Sequence, residues 1–237
     1  LRESAPAELR GEALAALGSW AAPSVLDRVD GRYRGEVSRD SSIVITRVSG
    51  TLPALLADTN PDILAGTCKV IGELGIPGHN AALKRLFDRH RNAGTRAALL
   101  RTLSRLGDPE IGAYLRKGLS DPEARVRTAA IEMLPVLDLP ASALPDIVTP
   151  IFQKGSLREQ QAMLTTLSEM DLQKSEGALA SLLKAAGKDQ LEPGVILDLI
   201  EAVEATGSET LLASLGALKA NGYSVDSYKE TLYGGSW

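Results

Sequence analysis

The sequence predicts an all-α fold, a right-handed α-solenoid of about six helical repeats. Three observations lead to this prediction. Apolar columns recur along the chain at intervals of 54, 32, 31, 33 and 36 residues. Helix start signals and glycines stand at the ends of the apolar segments. No segment shows sustained alternation of apolar and polar residues with hairpin turns, which a β-sheet would require.

Two apolar columns define the inner face of the second helix in each repeat. The first column consists of Leu14, Cys68, Leu100, Ile131, Leu164 and Ile200. The second column lies three residues later and consists of Leu17, Ile71, Leu103, Leu134, Leu167 and Val203. A third column follows three residues further on, with Trp20, Leu74, Leu106, Leu137, Met170 and Thr206. This spacing places the side chains on one helix face, which we expect each repeat to bury against its neighbours.

Start and stop signals agree with these segments. Asn60-Pro61 and Asp121-Pro122 each place a capping side chain before a proline in the first helical turn. Glycines suited to a left-handed helix end follow three apolar stripes, at Gly75, Gly107 and Gly207. Ile43-Val44-Ile45 is the one β-branched run, and we interpret it as the start of a helix that reaches about Leu56. First helices are expected around Leu83, Leu115, Val148, Leu182 and Leu215.

The segment from Asp121 through Leu137, which includes Arg127, resembles HEAT repeats of the short bacterial type. Arg10 and Arg96 fall at the equivalent offset in two other repeats, whereas Leu64, Gln160 and Ile196 replace the arginine elsewhere. The repeats counted from the columns, about six, are therefore expected to be HEAT-like. The resemblance implies a structural arginine that ties a loop to its neighbour, so we do not interpret the arginine as a functional site.

Composition argues against a general nucleic-acid binder, so no nucleic acid is expected as a partner. The net charge is −4, and aromatic residues make up 4% of the chain. A local basic patch is the one feature that favours this minor alternative, with Arg85, Arg89, His90, Arg91, Arg96, Arg101 and Arg105. No apolar run approaches the length of a membrane span, so no membrane insertion is expected.

Residues suited to catalysis or metal binding are scarce, so no catalytic, cofactor-binding or metal site is predicted. The one cysteine, Cys68, occupies a core column and is expected to be buried and inert. The two histidines, His79 and His90, cannot supply the three or four ligands that a metal site needs. No nucleophile motif or phosphate-binding glycine loop is present. We therefore expect this segment not to be an enzyme.

An irregular insertion at about residues 20–42 interrupts the repeats, because the first interval is longer than one repeat. One interpretation is a loop that packs back onto the solenoid through Trp20, Val25, Leu26 and Val29. The other is a docking loop, because arginine and tyrosine are enriched at protein interfaces. The candidate protein contacts are Arg28, Arg32, Tyr33, Arg34 and Arg39.

The two ends of the chain resemble a more specific family. The run from Glu8 to Trp20 with the following Pro23 to Gly31, and the run from Tyr228 to Trp237, are similar to the HEAT-like middle region of bacterial membrane-bound dehydrogenase-like proteins. In that family, a β-propeller of the quinoprotein sugar or sorbosone dehydrogenase type precedes the HEAT region and a c-type cytochrome domain follows it. The haem-attachment motif is absent from this chain, so the resemblance implies no haem here.

The sequence therefore predicts a single HEAT-like domain over 1–237, cut from a larger multidomain protein. Its expected role is a non-catalytic spacer and docking surface that positions a propeller domain against a cytochrome c domain. The resemblance implies an exported oxidoreductase as the parent protein, with a periplasmic or cell-surface location. The alternative is a free-standing HEAT-repeat adaptor that binds another protein through its concave face.

Overall fold

A computed structural model describes residues 5–27 and 29–220, which form thirteen α-helices and no strand of a sheet. The helices are α1 (Ala7–Gly18), α2 (Ser42–Val48), α3 (Leu52–Leu56), α4 (Pro61–Glu73), α5 (Asn80–Arg89), α6 (Ala93–Arg105), α7 (Ile111–Leu119), α8 (Ala124–Glu132), α9 (Leu144–Lys154), α10 (Leu157–Glu169), α11 (Leu172–Ala186), α12 (Ile196–Thr206) and α13 (Glu209–Ala220). Short 3-10 turns occupy Leu134–Val136, Ala141–Ala143 and Pro193–Val195. The predicted all-α fold of helical repeats is confirmed.

The chain divides into two compact units, Leu1–Ala130 and Ile131–Trp237. In the first unit, the second helices α1, α4 and α6 pack in succession, and α5 and α7 pack against α6. In the second unit, α10 packs against α12, while the first helices α9, α11 and α13 pack in succession. Within each unit, therefore, equivalent helices of successive repeats bury their apolar faces against each other.

The first two predicted columns form the core. Every residue of the first column is buried, and so is every residue of the second except the half-buried Leu17. The third column is largely not part of the core, contrary to the prediction. Trp20 is 38% exposed, and four of the other five residues are half-buried. The reason is that the second helices end at or just before these positions, so their last turn no longer faces a neighbouring helix.

The predicted helix ends are confirmed at most positions. The Asn60 side chain accepts hydrogen bonds from the N–H groups of Asp62 at 2.9 Å and Ile63 at 3.3 Å, which caps α4. Gly75, Gly107 and Gly207 all have positive φ, at 61°, 60° and 65°. After Gly75, the Ile76 N–H donates to the Ile71 carbonyl at 2.9 Å. This bond satisfies one of the carbonyls that a helix end leaves without an intrahelical partner.

Two predicted helices differ from the structure because of prolines. The predicted helix from Ile43 to Leu56 is two helices, α2 and α3, because Pro53 has no N–H and its ring would clash with the Ser49 carbonyl in a continuous helix. Helix α8 begins at Ala124, after the Asp121-Pro122 signal, and ends at Glu132. It stops there because Pro135 cannot donate to Ile131 and disfavours helical backbone at the residue before it.

The arginines at the equivalent offset have the structural role that the HEAT resemblance implies. Arg96 donates to the His90 carbonyl at 3.2 Å and to the Asp121 carboxylate of the next repeat at 2.7 Å. Arg10 pairs in the same way with Asp58 at 2.9 Å. Arg127 donates to two carbonyls of its own loop, those of Asp121 and Pro122, both at 2.8 Å. These bonds hold the loops between helices in place.

Candidate functional site

The insertion folds as a short hairpin. Leu26 and Tyr33 form an antiparallel bridge. Beside this bridge, the Arg34 N–H donates to the Val25 carbonyl at 2.6 Å. Leu26 is 51% exposed and Val29 is 96% exposed, so neither packs onto the helices. The interpretation that the loop packs back through four side chains is therefore contradicted at Leu26 and Val29, whereas Val25 is half-buried and Trp20 is 38% exposed.

Asp27 organises the turn of the hairpin. Its Oδ1 accepts hydrogen bonds from the N–H groups of Val29 at 2.8 Å and Asp30 at 3.2 Å. Gly31 has a φ of 69°, in the left-handed region that favours glycine, and its N–H donates to the Asp27 carbonyl at 3.0 Å. The Arg34 guanidinium lies 3.1 Å from Asp27 Oδ2. The N–H groups of Val29 and Asp30, and then Arg34, lower the pKa of the Asp27 carboxyl, which is ionised at neutral pH.

The base of the hairpin is closed beside the end of α1. The Arg39 N–H donates to the Ala21 carbonyl at 2.9 Å, so the chain leaves the insertion next to the point where it enters. The Arg39 guanidinium lies over the Trp20 ring, 4.9 Å from its centroid. This cation–π contact orients Arg39 without neutralising its charge.

A groove of about 590 Å³ lies between the hairpin and helices α1 and α4. It is lined by Ala15, Ser19, Pro23, Ser24, Leu26, Asp27, Val29, Arg34, Gly35, Val37, Arg39 and Lys69. Helices α1 and α4 approach closely here: a Cβ atom added at Gly18 would lie only 3.3 Å from Lys69 Cγ. The stem of Lys69 therefore passes beside the end of α1, and Lys69 lines the groove.

The groove combines apolar surface with positive charge. Arg34 is paired with Asp27, at 3.1 Å, and its side chain is 58% exposed. Neither Arg39 nor Lys69 has an acidic partner among residues 5–27 and 29–220. Two cations without counter-charges thus lie at one groove whose other lining residues are mostly apolar or small.

The predicted contact residues separate into three groups. Arg34 and Arg39 line the groove. Arg32 and Tyr33 are exposed on the hairpin, at 79% for the Arg32 side chain and 71% for Tyr33, but neither lines the groove. Arg28 and the C-terminal run from Tyr228 to Trp237 lie outside the described residues. No comparison tests a contact role for any of them.

Sequence reasoning missed Lys69, because it follows Cys68 within the helical pattern and nothing in the linear sequence relates it to the insertion. Lys69 also borders a second groove, of about 330 Å³, between α4 and α6. That groove includes Arg101 and Arg105, and Arg105 pairs with Glu73 at 2.9 Å. Lys69 therefore lines both the groove at the hairpin and the groove between α4 and α6.

The predicted basic patch is interrupted by its own ion pairs. Arg96 is paired with Asp121 at 2.7 Å, and its side chain is only 15% exposed. Arg105 is paired with Glu73. Nucleic-acid binding needs several cations that are available to phosphates, so this arrangement does not strengthen that alternative.

Cys68 has the environment of a core residue. It is 0% exposed, and burial raises the pKa of its thiol to about 12. His90 Nδ1 accepts the Asn92 N–H at 3.2 Å, and His79 precedes α5 without a side-chain capping bond. Within 5–27 and 29–220, no group of three or more His, Cys, Asp or Glu residues is placed to hold a metal ion. In the same residues, no helix combines the length and apolar character needed to cross a membrane.

Comparison with known families matches residues 48–135 to the model of HEAT repeats. This match shows a HEAT-like repeat region, and HEAT repeats generally act as helical scaffolds that mediate protein interactions and are generally non-catalytic. The comparisons with curated proteins and with solved structures return no significant match. The hairpin and α1 lie before the matched region, whereas α4, which contributes Lys69 to the groove, lies within it.

Proposed function

We propose that this chain is a non-catalytic helical scaffold that docks protein domains, with the insertion hairpin as its principal contact. One observation carries the proposal: the hairpin presents Leu26, Val29, Tyr33 and Arg32 to solvent beside a groove. Exposed apolar and aromatic side chains that are grouped on one element favour burial by another protein.

For the setting of this scaffold, we propose the middle region of an exported dehydrogenase, between a propeller domain and a cytochrome c domain. The support is the resemblance of the run from Glu8 to Gly31 and of the run from Tyr228 to Trp237. In this setting the catalytic groups and the haem belong to the neighbouring domains, and the location is periplasmic or at the cell surface. The scaffold sets the distance and orientation between the two redox centres.

The docking role is tested by association of the 237-residue chain with the separately expressed neighbouring domains of its natural gene product. Arg32→Glu combined with Tyr33→Ala changes two exposed side chains without touching the Asp27–Arg34 pair. We expect this variant to raise the dissociation constant at least about tenfold, because it removes an aromatic contact and reverses a charge. Arg47→Glu, on the exposed side of α2, is the matched control. Equal binding by the wild type and the double variant would exclude the hairpin as the contact.

The redox setting is tested by the visible absorption spectrum of the natural full-length product. The protein is expressed with a haem-maturation system and reduced with dithionite. Sharp c-type bands would support the spacer between redox domains. A haem-free product would remove that setting and leave the free-standing adaptor as the better account.

A further inference from the structure

We propose that the groove between the hairpin and helices α1 and α4 binds an extended acidic peptide segment with an apolar side chain at its centre. This inference rests on the proposed docking function and specifies the chemistry of the docked partner. It concerns the groove-lining residues, which are distinct from Arg32 and Tyr33.

The positive charge at the groove calls for an anionic partner. Arg39 and Lys69 have no acidic partner in the described part of the chain, and they border one groove. The Arg39 guanidinium lies 4.9 Å from the centroid of the Trp20 ring, and the stem of Lys69 passes beside Gly18 at the end of α1. A carboxylate at this groove would therefore meet two cations that are not already paired with an acidic group.

The remaining surface of the groove calls for an apolar side chain. Pro23, Leu26 and Val37 line it, and Leu26 and Val37 are 51% and 40% exposed. A volume of about 590 Å³ lies within the range of ligand-binding pockets, roughly 300–1,000 Å³. The groove is an open cleft, which suits one or two side chains of a passing segment better than a fully enclosed small molecule.

The same residues disfavour nucleic acid as the occupant. Two cations without partners provide few phosphate contacts, and binding of nucleic acid depends on several. The Trp20 ring already carries Arg39 on one face, and Tyr33 does not line the groove. An acidic peptide needs only a few charge contacts together with apolar burial.

The test uses the 237-residue chain and a fluorescein-labelled ten-residue peptide of glutamates around a central leucine. Anisotropy is measured in about 50 and 300 mM NaCl, since screening weakens exposed charge contacts. We expect the peptide to bind, with binding weaker at the higher salt. Arg39→Glu and Lys69→Glu are each expected to weaken binding at least about fivefold. Arg47→Glu and Lys154→Glu, which lie outside the groove lining, are the matched controls.

Three further probes separate the possible outcomes. A peptide with glutamines in place of the glutamates should bind less tightly. A peptide with glycine in place of the leucine should also bind less tightly. Binding that is unchanged by Arg39→Glu and Lys69→Glu would overturn the proposal, as would the absence of binding. Tighter binding of a ten-nucleotide oligothymidine, sensitive to the same variants, would overturn it in favour of nucleic acid. If neighbouring domains still associate in the docking assay while the peptide fails, the docking function stands and only the partner chemistry is wrong.

Discussion

Single side chains fix the ends of the helices and the joins between successive repeats. Thr102 Oγ1 donates to the Cys68 carbonyl of the preceding second helix at 2.9 Å, and Thr166 Oγ1 donates to the Ile131 carbonyl at 3.2 Å. Both threonines stand two residues after a residue of the first column. A polar contact between second helices thus recurs at the same offset from the first apolar column, and hydrophobic periodicity alone does not predict it.

The cap of α4 is a residue whose contribution to stability is directly measurable. We expect Asn60→Ala to lower the free energy of unfolding by about 1 kcal/mol, because the N–H groups of Asp62 and Ile63 lose their acceptor. Asn60→Asp keeps an acceptor oxygen and should retain most of the stability. Urea denaturation measures both. A cap role is excluded if the two variants lose stability equally.

Cys68 provides a reactivity prediction. Its thiol is buried and its pKa is raised by that burial to about 12, so little thiolate is present at pH 8. We expect negligible labelling by iodoacetamide in the folded protein and rapid labelling in guanidinium chloride. Mass spectrometry counts the added groups. Fast labelling under native conditions would mean that this part of the core opens readily.

At the scale of the helices, the sequence predicted faces better than boundaries. The columns at Cys68 and Ile71 correctly identified the buried face of α4, because the spacing of apolar residues along a whole helix determines which face is buried. The break between α2 and α3 was not predicted, because the prediction rested on the β-branched residues at the start of α2 and not on Pro53. The predicted ends of the second helices lie a few residues beyond the observed ends. An apolar residue just after a helix can keep the three-residue spacing of the helix, so spacing alone does not locate the end.

Close packing between helices predicts opposite effects for one type of substitution at two glycines. A Cβ at Gly118 of α7 would lie 2.8 Å from Leu100 Cδ2 and 2.9 Å from Ala130 Cβ, both buried. We expect Gly118→Ala to destabilise the protein by roughly 1–3 kcal/mol through overpacking. Gly11→Ala in α1 meets nothing within 4 Å and should stabilise by roughly 0.5–1 kcal/mol. Thermal unfolding decides the signs, and a gain at Gly118 would contradict the close approach.

The contact between α5 and the turn before α7 predicts a dependence on pH. The buried Asp108 accepts hydrogen bonds from Asn80 at 2.7 Å and the Glu110 N–H at 2.8 Å, and Lys84 lies 3.5 Å away. Burial raises the pKa of Asp108, but these partners outweigh it and hold the pKa below 3.8. A lowered pKa stabilises the folded state above pH 3.8, and this contribution is lost as the pH falls through the folded pKa.

We therefore expect the urea midpoint of the wild type to fall between about pH 5 and pH 2.5. Asp108→Asn should be less stable than the wild type at neutral pH and should show a smaller fall, because the titrating group is gone. Ser181→Ala, a change on the exposed side of α11, is a control that leaves the fall unchanged. An identical fall in Asp108→Asn would show that other carboxyls carry the acid sensitivity.

At the scale of the whole molecule, sequence patterns gave the repeats and the position of the insertion, but not the groove. The groove brings together residues that are far apart in the chain, such as Arg39 and Lys69, and no local sequence pattern encodes this proximity. Arginine content identified Arg34 and Arg39 as candidates because arginine is frequent at interfaces. It could not distinguish them from Arg32, which is exposed but does not line the groove.

The hairpin should be removable without loss of the fold. We expect replacement of residues 22–38 by two glycines to change the free energy of unfolding by less than about 1 kcal/mol, because the hairpin buries little apolar surface and its ends already meet at Ala21 and Arg39. Helical content measured by circular dichroism should be retained, while association with the neighbouring domains should be lost. Unfolding of the shortened chain would show that the hairpin contributes to the core.

The meeting of Ala21 and Arg39 has a consequence for how such a protein changes over time. A segment that enters and leaves a framework at one point behaves as an exchangeable cassette. Its length and composition can drift under selection for a partner while the helices drift under selection for folding. The same junction offers protein engineers a graft position, where a foreign binding loop can be displayed without redesigning any helix.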